Sequence, residues 1–102
     1  MPTADQIERR LWLAADYRAA QSNLDIAPDC AAHLRSFIRS GVDRIVAEGH
    51  NNDNLRISLA ETNIRGFTMR MIIEARQINV PQLHEPTFFA AKNALCPLWP
   101  FC

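Results

Sequence analysis

Apolar residues recur at spacings of three and four along most of this chain, and that periodicity restricts its fold more than any other feature. Such spacing places apolar side chains on one side of an α-helix. No segment of four or more residues alternates cleanly between apolar and polar side chains, as a half-buried β-strand would. The sequence therefore predicts an all-α fold.

Capping residues, prolines and glycines mark where the predicted helices begin and end. Thr3 and Gln6 have the spacing of a capping box. Pro28 suits the first turn of a second helix, and Gly49 suits the left-handed residue after its end. Asn52 or Asp53 can cap the third helix. The four helices are expected at about residues 5–21, 28–48, 53–79 and 85–95.

The first two helices each carry an apolar face. In the second helix this face comprises Cys30, Leu34, Phe37, Ile38, Gly41, Val42, Ile45 and Val46. Gly41 lies within it and indicates a point of close packing. In the first helix the predicted buried arc consists of Ile7, Leu11, Leu13, Ala14, Tyr17 and Ala20. Trp12 falls on the opposite side and is predicted to point outward.

The last seven residues, 96–102, contain two prolines and cannot form a regular helix. Leu98, Trp99 and Phe101 make this tail too apolar to remain in solvent, so we expect it to fold back on the helices. The predicted architecture is a compact four-helix bundle-like arrangement with a folded-back apolar tail. Because 102 residues suit one hydrophobic core, residues 1–102 are expected to form a single domain.

Charge and hydropathy exclude several classes of protein. Eleven basic residues balance eleven acidic ones, which disfavours a protein held mainly to nucleic acid or anionic lipid by a positive field. Apolar residues make up 48%, which is too many for a disordered chain. No apolar run approaches the ~20 residues of a membrane helix. The N-terminus lacks the pattern of a signal peptide, so a cytoplasmic location is predicted.

The three cysteines are expected to remain thiols in a reducing cytoplasm. Two alternatives stay open at this stage. Cys30 and His33 are three residues apart on one helix and could share a metal with Cys96 and Cys102, although no C-x-x-C pair occurs. Cys96 and Cys102 could instead form a disulfide that closes the tail. The prediction is that neither occurs, and that the protein holds no metal and no cofactor.

The sequence contains no catalytic motif. A Gly-rich phosphate loop, a His-Glu-x-x-His motif and a nucleophile elbow are all missing. Five of the ten arginines have an acidic residue four positions away, which is typical of a solvated, self-paired helix surface. The second and third helices follow the order of a helix-turn-helix, but the third helix is too apolar for a recognition helix. We therefore lean against an enzyme.

The third helix is apolar on two nearly opposite sides. Its first stripe consists of Ile57, Ala60, Ile64, Phe67, Met71, Ala75 and Ile78. Its second stripe consists of Leu55, Leu59, Gly66, Met69 and Ile73. A helix that is apolar on two sides lies either between neighbours in its own domain or against another chain. The sequence leaves both alternatives open for the second stripe.

The function predicted from these patterns is a non-catalytic protein–protein interaction or regulatory module, with a homodimer as one form of it. Its partner-binding residues would be Trp12, Leu55, Leu59, Met69 and Ile73. A small helix-turn-helix-like DNA-binding regulator is the alternative, and nucleic acid and membranes are otherwise not expected partners. A metal-binding protein or an enzyme without a local motif is the third hypothesis.

Overall fold

The computed structural model describes residues 1–102 and is 72% helical. Four helices account for most of the chain: α1 (Ala4–Gln21), α2 (Pro28–Ala47), α3 (Asn54–Gln77) and α4 (Glu85–Leu95). Two strands of two residues each, β1 (Asp25–Ile26) and β2 (Gln82–Leu83), precede α2 and α4. The all-α prediction is confirmed, and the predicted helix bounds agree with the observed ones within two residues.

The helix ends follow from local chemistry. The Thr3 backbone N–H donates to Gln6 Oε1 (2.9 Å), and the Gln6 backbone N–H donates to Thr3 Oγ1 (3.1 Å). The Asp53 side chain accepts a hydrogen bond from the backbone N–H of Arg56 and caps α3. Gly49 has φ of 75° and follows the end of α2, a backbone conformation that glycine adopts without a Cβ penalty.

A helix–strand–helix arrangement occurs twice, as α1–β1–α2 and α3–β2–α4. Asn23 and Asn79 both have φ of 56° and lie between a helix and the strand that follows it. The two strands pair in parallel, with Asp25 opposite Gln82. A pair this short cannot show alternation, which is why the sequence predicted no strand. The pairing fixes the two halves side by side at one end of the molecule.

Helices α1 and α3 run parallel to each other. Arg10 pairs with Glu61, and Arg18 Nη2 donates to Met69 Sδ, so both contacts join residues 51 positions apart. Since strands β1 and β2 continue α1 and α3, the parallel pairing of the strands follows from the parallel helices. This arrangement gives α1 and α3 a common outer surface.

The core is one cluster of 21 buried apolar residues from all four helices, β2 and the tail. Phe37 of α2, Phe67 of α3 and Phe88 of α4 form its aromatic centre, with the Phe37 and Phe67 ring centroids 4.4 Å apart. The predicted first stripe of α3 is buried here, except for Ile78, which is exposed at the helix end.

The predicted buried arc of α1 is partly wrong. Ile7 and Leu11 are buried as expected, but Leu13 and Tyr17 are exposed, and Ala15 and Ala19 occupy the interior instead. Ala15 and Ala19 lie where α1 packs closely against the neighbouring helices. Their small side chains fit there, and large ones would not. The buried face of α1 is therefore rotated about the helix axis relative to the face predicted from periodicity.

Trp12 does not point outward as predicted. It is partly buried and packs against the edge of the core. The Arg35 guanidinium of α2 lies 3.9 Å from the centre of its ring, within the range of a cation–π contact. Helix α2 therefore provides the neighbour that periodicity alone did not reveal.

The expectation of three free thiols is also wrong. Cys96 and Cys102 form a disulfide, and buried Cys30 is the free cysteine. Backbone hydrogen bonds between Leu98 and Cys102 bend the tail into a closed turn. The two cysteine Cα atoms consequently lie 5.6 Å apart, a separation suited to a disulfide.

The tail folds back on the helices, as predicted. Phe101 is buried and Pro100 lies beside it, both against Gly41 of α2. A Cβ at Gly41 would lie 2.6 Å from Phe101 Cε1, so this glycine is the predicted point of close packing, and its neighbour is the tail. Trp99 Nε1 donates to Glu48 Oε1 (3.1 Å) and fixes the tail near the end of α2.

Candidate interaction surface on helices α1 and α3

The second stripe of α3 lies on the outside of the molecule. Leu55 is 85% exposed, Leu59 44% and Ile73 39%, while Met69 is partly buried at the edge beside α1. Leu55 is almost fully exposed, whereas Leu59 and Ile73 are partly covered. The second stripe of α3 is therefore part of the surface of the single chain and not of its core.

The spacing of this stripe is more regular than the sequence analysis recognised. With Thr62 included, successive members are separated by four, three, four, three and four residues. This is the repeat by which one helix packs along another in a coiled coil. We call this set the α3 seam, and it consists of Leu55, Leu59, Thr62, Gly66, Met69 and Ile73.

Gly66 lies in the α3 seam and within the regular part of the helix. A Cβ built on Gly66 would meet no atom within 4 Å. Glycine in an exposed helix interior costs ~1 kcal/mol relative to alanine. No contact within the chain requires this glycine, in contrast to Gly41. The notch it leaves would allow another backbone to approach α3 closely.

Helix α1 contributes two further apolar side chains to the same outer surface. Leu13 and Tyr17, 49% and 67% exposed, line a groove together with Glu61 and Arg65 of α3. The groove is a shallow surface depression of about 530 Å3 that is open to solvent. Sequence analysis missed both residues because it assigned them to the interior. Leu13 and Tyr17 are exposed while Leu11 and Ala15 of the same helix are buried, a tertiary property that periodicity alone does not give.

The groove is positively charged overall. Glu61 pairs with Arg10, and that contact raises the pKa of the Arg10 guanidinium. Arg9 and Arg65 line the same groove and have no acidic partner within the chain. An apolar surface bordered by charged groups is typical of protein–protein interfaces, which combine an apolar centre with a polar rim.

The structure brings four of the five predicted partner-binding residues onto one helix face: Leu55, Leu59, Met69 and Ile73. Trp12 is separate from them, because it faces Arg35 on the α2 side of α1. This position of Trp12 gives no support to its predicted role in partner binding. The roles of the other four stay predictions.

The residues considered for a metal site do not converge. Cys30 is buried beside Met71, with 3.8 Å between the two sulfur atoms. His33 Nε2 instead lies 2.9 Å from Glu85 Oε2. The structure contains no group of three or more His, Cys, Asp or Glu side chains placed to hold a metal ion. None of its helices is long and apolar enough to cross a membrane.

Comparison of the chain with protein-family models, with curated proteins and with solved structures finds no match.

Proposed function

We propose that this domain is a non-catalytic interaction module that self-associates into a twofold homodimer through the α3 seam. The observation that supports the proposal best is Gly66, a costly glycine that nothing in its own chain explains, in the middle of a regularly spaced apolar seam. A second copy of α3 packed there gives a reason for both the glycine and the exposed leucines.

The α3 seam is self-complementary when two copies run antiparallel about a twofold axis level with residue 64. Each seam residue then faces a seam residue of the second copy. This holds because the two members of every pair lie equally far from residue 64, one before it and one after it. A twofold interface requires this property, because the same patch serves both partners. The resulting pairs are Leu55 with Ile73, Leu59 with Met69, and Thr62 with Gly66.

The expected energetics favour this arrangement. Full burial of one large aliphatic side chain contributes ~1.5–3 kcal/mol, and Leu55 is almost fully exposed before association. The two copies of Arg65 would lie near the twofold axis and repel each other. This repulsion opposes the burial, and its size depends on how far the two guanidinium groups extend into solvent.

Sedimentation over a range of protein concentrations tests the proposal. The unaltered chain should show a concentration-dependent monomer–dimer equilibrium. The double substitution Leu59→Glu and Ile73→Glu should give a folded monomer, because both side chains are exposed in the single chain. Val46→Glu is the matched control, since Val46 is 37% exposed but lies on α2 away from the seam. It should leave the dimer intact.

Three results would count against the proposal. A chain that stays monomeric at the highest attainable concentration has no twofold interface, and the α3 seam then needs a different partner. Equal loss of the dimer in Val46→Glu would show that any added charge prevents association. Loss of helical structure in the double variant would contradict the exposed placement of the α3 seam itself.

We include in this proposal the cytoplasmic location predicted from the sequence. The Cys96–Cys102 disulfide places a requirement on that location. The Cys96–Cys102 disulfide would be reduced in most cytosolic environments. In a reducing cytoplasm the proposal therefore requires that the dimer form without this disulfide. The α3 seam contains no tail residue, so sedimentation in dithiothreitol should show an unchanged dimer.

A further inference from the structure

Helix α1 lies beside the α3 seam, and its position along that seam is fixed by side-chain contacts. The two polar contacts between α1 and α3 both link residues 51 positions apart. The Asn51 side-chain amide donates to Met1 Sδ, 50 positions away, so nearly the same offset holds at the start of α1. Leu13 of α1 is therefore level with residue 64, the centre of the α3 seam.

The outer face of α1 is symmetric about the same level. Arg9 lies as far before Leu13 as Tyr17 lies after it, and all three side chains are exposed and line the α1 groove. Residues four apart are neighbours on one side of a helix, so they form a row, which we call the α1 row. The α1 row and the α3 seam consequently share one centre, although their residues come from different helices.

The two ends of the α1 row have complementary chemistry. Arg9, at one end, has no ion-pair partner in the chain. Tyr17, at the other end, is 67% exposed and is preceded by Asp16, whose carboxylate is also unpaired. The other two acidic residues of α1 both pair with Arg39. A guanidinium attracts both an aromatic ring and a carboxylate, so each end of the row is a suitable partner for the opposite end of a second copy.

We propose that the α1 row is the second half of the dimer interface, in which Arg9 of each copy packs on Tyr17 of the other and the two Leu13 side chains meet at the twofold axis. This inference rests on the proposed dimer through the α3 seam and adds contacts that the seam does not contain. A twofold axis level with residue 64 places the second α1 on the same side of the paired α3 helices, running antiparallel to the first. Residues equally distant from Leu13 then face each other, so the Arg9–Tyr17 contact occurs twice.

The α1 row also determines the orientation of the second copy. A parallel copy would bring Arg9 opposite Arg9, and like charges at an interface disfavour such a complex. The antiparallel copy replaces that repulsion with two attractive contacts. The orientation selected by charge on α1 is the one that self-complementarity requires of the α3 seam.

Exchange of the two paired side chains tests the proposed contact. Tyr17→Arg places a second cation opposite Arg9 and should raise the dissociation constant of the dimer by about tenfold, measured by sedimentation. Adding Arg9→Tyr restores a cation facing a ring and should return the constant to within about threefold of the unaltered chain. Both positions are exposed in the single chain, so circular dichroism should show unchanged helix content.

Cross-linking tests the position of the twofold axis. Leu13→Cys should be joined to its own copy by a short bismaleimide, because residue 13 lies at the axis. Ala20→Cys is the matched control, since Ala20 is exposed on the same helix seven residues later. Its two copies would lie ~21 Å apart along the antiparallel helices and should not be joined. The native cysteines should not react, since Cys30 is buried and the other two form a disulfide.

These experiments distinguish failure of the α1 row from failure of the α3 seam. A dimer that does not cross-link through Leu13→Cys, that ignores Tyr17→Arg, or that the exchange with Arg9→Tyr does not restore would overturn the role of α1 and leave the α3 seam dimer standing. Cross-linking of both cysteine variants would show parallel α1 helices and would also overturn it. A chain that sediments as a monomer at every concentration would overturn both proposals.

Discussion

Substitution of Gly41 by alanine should destabilise the protein, although alanine is the better helix former. Gly41 lies in the interior of α2, and its added Cβ would lie 2.6 Å from Phe101 Cε1 and 3.2 Å from Pro100 Cγ. The separation from Phe101 is shorter than Cβ atoms adopt in folded proteins, and the separation from Pro100 is tight. The tail must therefore shift away from α2, and the buried ring of Phe101 must move toward solvent.

The magnitude follows from two opposing contributions. Alanine gains ~1 kcal/mol over glycine in a helix interior. Exposure of the Phe101 ring loses ~1.5–3 kcal/mol of burial. The difference is a net loss of ~0.5–2 kcal/mol in the free energy of unfolding. In a domain of ~100 residues, 1 kcal/mol lowers the melting temperature by ~4–8 °C.

Gly66→Ala is the matched control, because Gly66 is also a mid-helix glycine but its added Cβ meets nothing within 4 Å. It should stabilise the monomer by up to ~1 kcal/mol. Urea denaturation of both variants, at concentrations where the protein is monomeric, measures the difference. If Gly41→Ala were stabilised as much as Gly66→Ala, the packing of Phe101 against Gly41 would be refuted.

Three further expectations concern the cysteines and acid stability. Reduction of Cys96–Cys102 opens a seven-residue loop and should cost about 2 kcal/mol in the chain-entropy description, visible as a lower urea midpoint in dithiothreitol. Burial raises the pKa of the Cys30 thiol to about 12. A thiol reagent at pH 8 should therefore modify Cys30 only after denaturation. Rapid labelling of the folded protein would contradict the burial of Cys30. Backbone N–H groups of Glu85 and Cys30 donate hydrogen bonds to the Asp29 carboxylate and lower its pKa from the usual value of an aspartate. That contribution is present above pH ~4 and is lost as the pH falls through the lowered pKa. Asp29→Asn should therefore reduce the loss of stability below pH ~4, measured by denaturation at several pH values.

Local features of the sequence were sufficient to place the helices. Thr3 and Gln6 cap α1, Asp53 caps α3, and Gly49 follows the end of α2, all as predicted. These interactions join residues within four positions of each other, so they depend little on the rest of the fold. The apolar tail was also predictable, because the free energy of leaving water depends mainly on composition.

The outer surface of the bundle was only half predictable. The two-sided apolarity of α3 identified Leu59 and Ile73 as candidates for an interface, and the structure places both on the surface. The same periodicity assigned Leu13 and Tyr17 to the interior, where the structure has Ala15 and Ala19. Periodicity gives the width of an apolar face, but the positions of neighbouring helices decide which part of that face is covered.

Contacts between residues distant in sequence were decided by tertiary structure alone. The pairing of β1 with β2 joins residues 57 positions apart, and Phe37, Phe88 and Lys92 meet at one pocket only because α2 packs beside α4. The sequence-based prediction that Cys96 and Cys102 stay thiols was likewise wrong, because their bonding depends on the backbone turn that brings their Cα atoms together. Helix boundaries depend on hydrogen bonds between residues that are close in sequence, so they can be predicted from the sequence. Sites assembled from several helices depend on the packing of the whole chain.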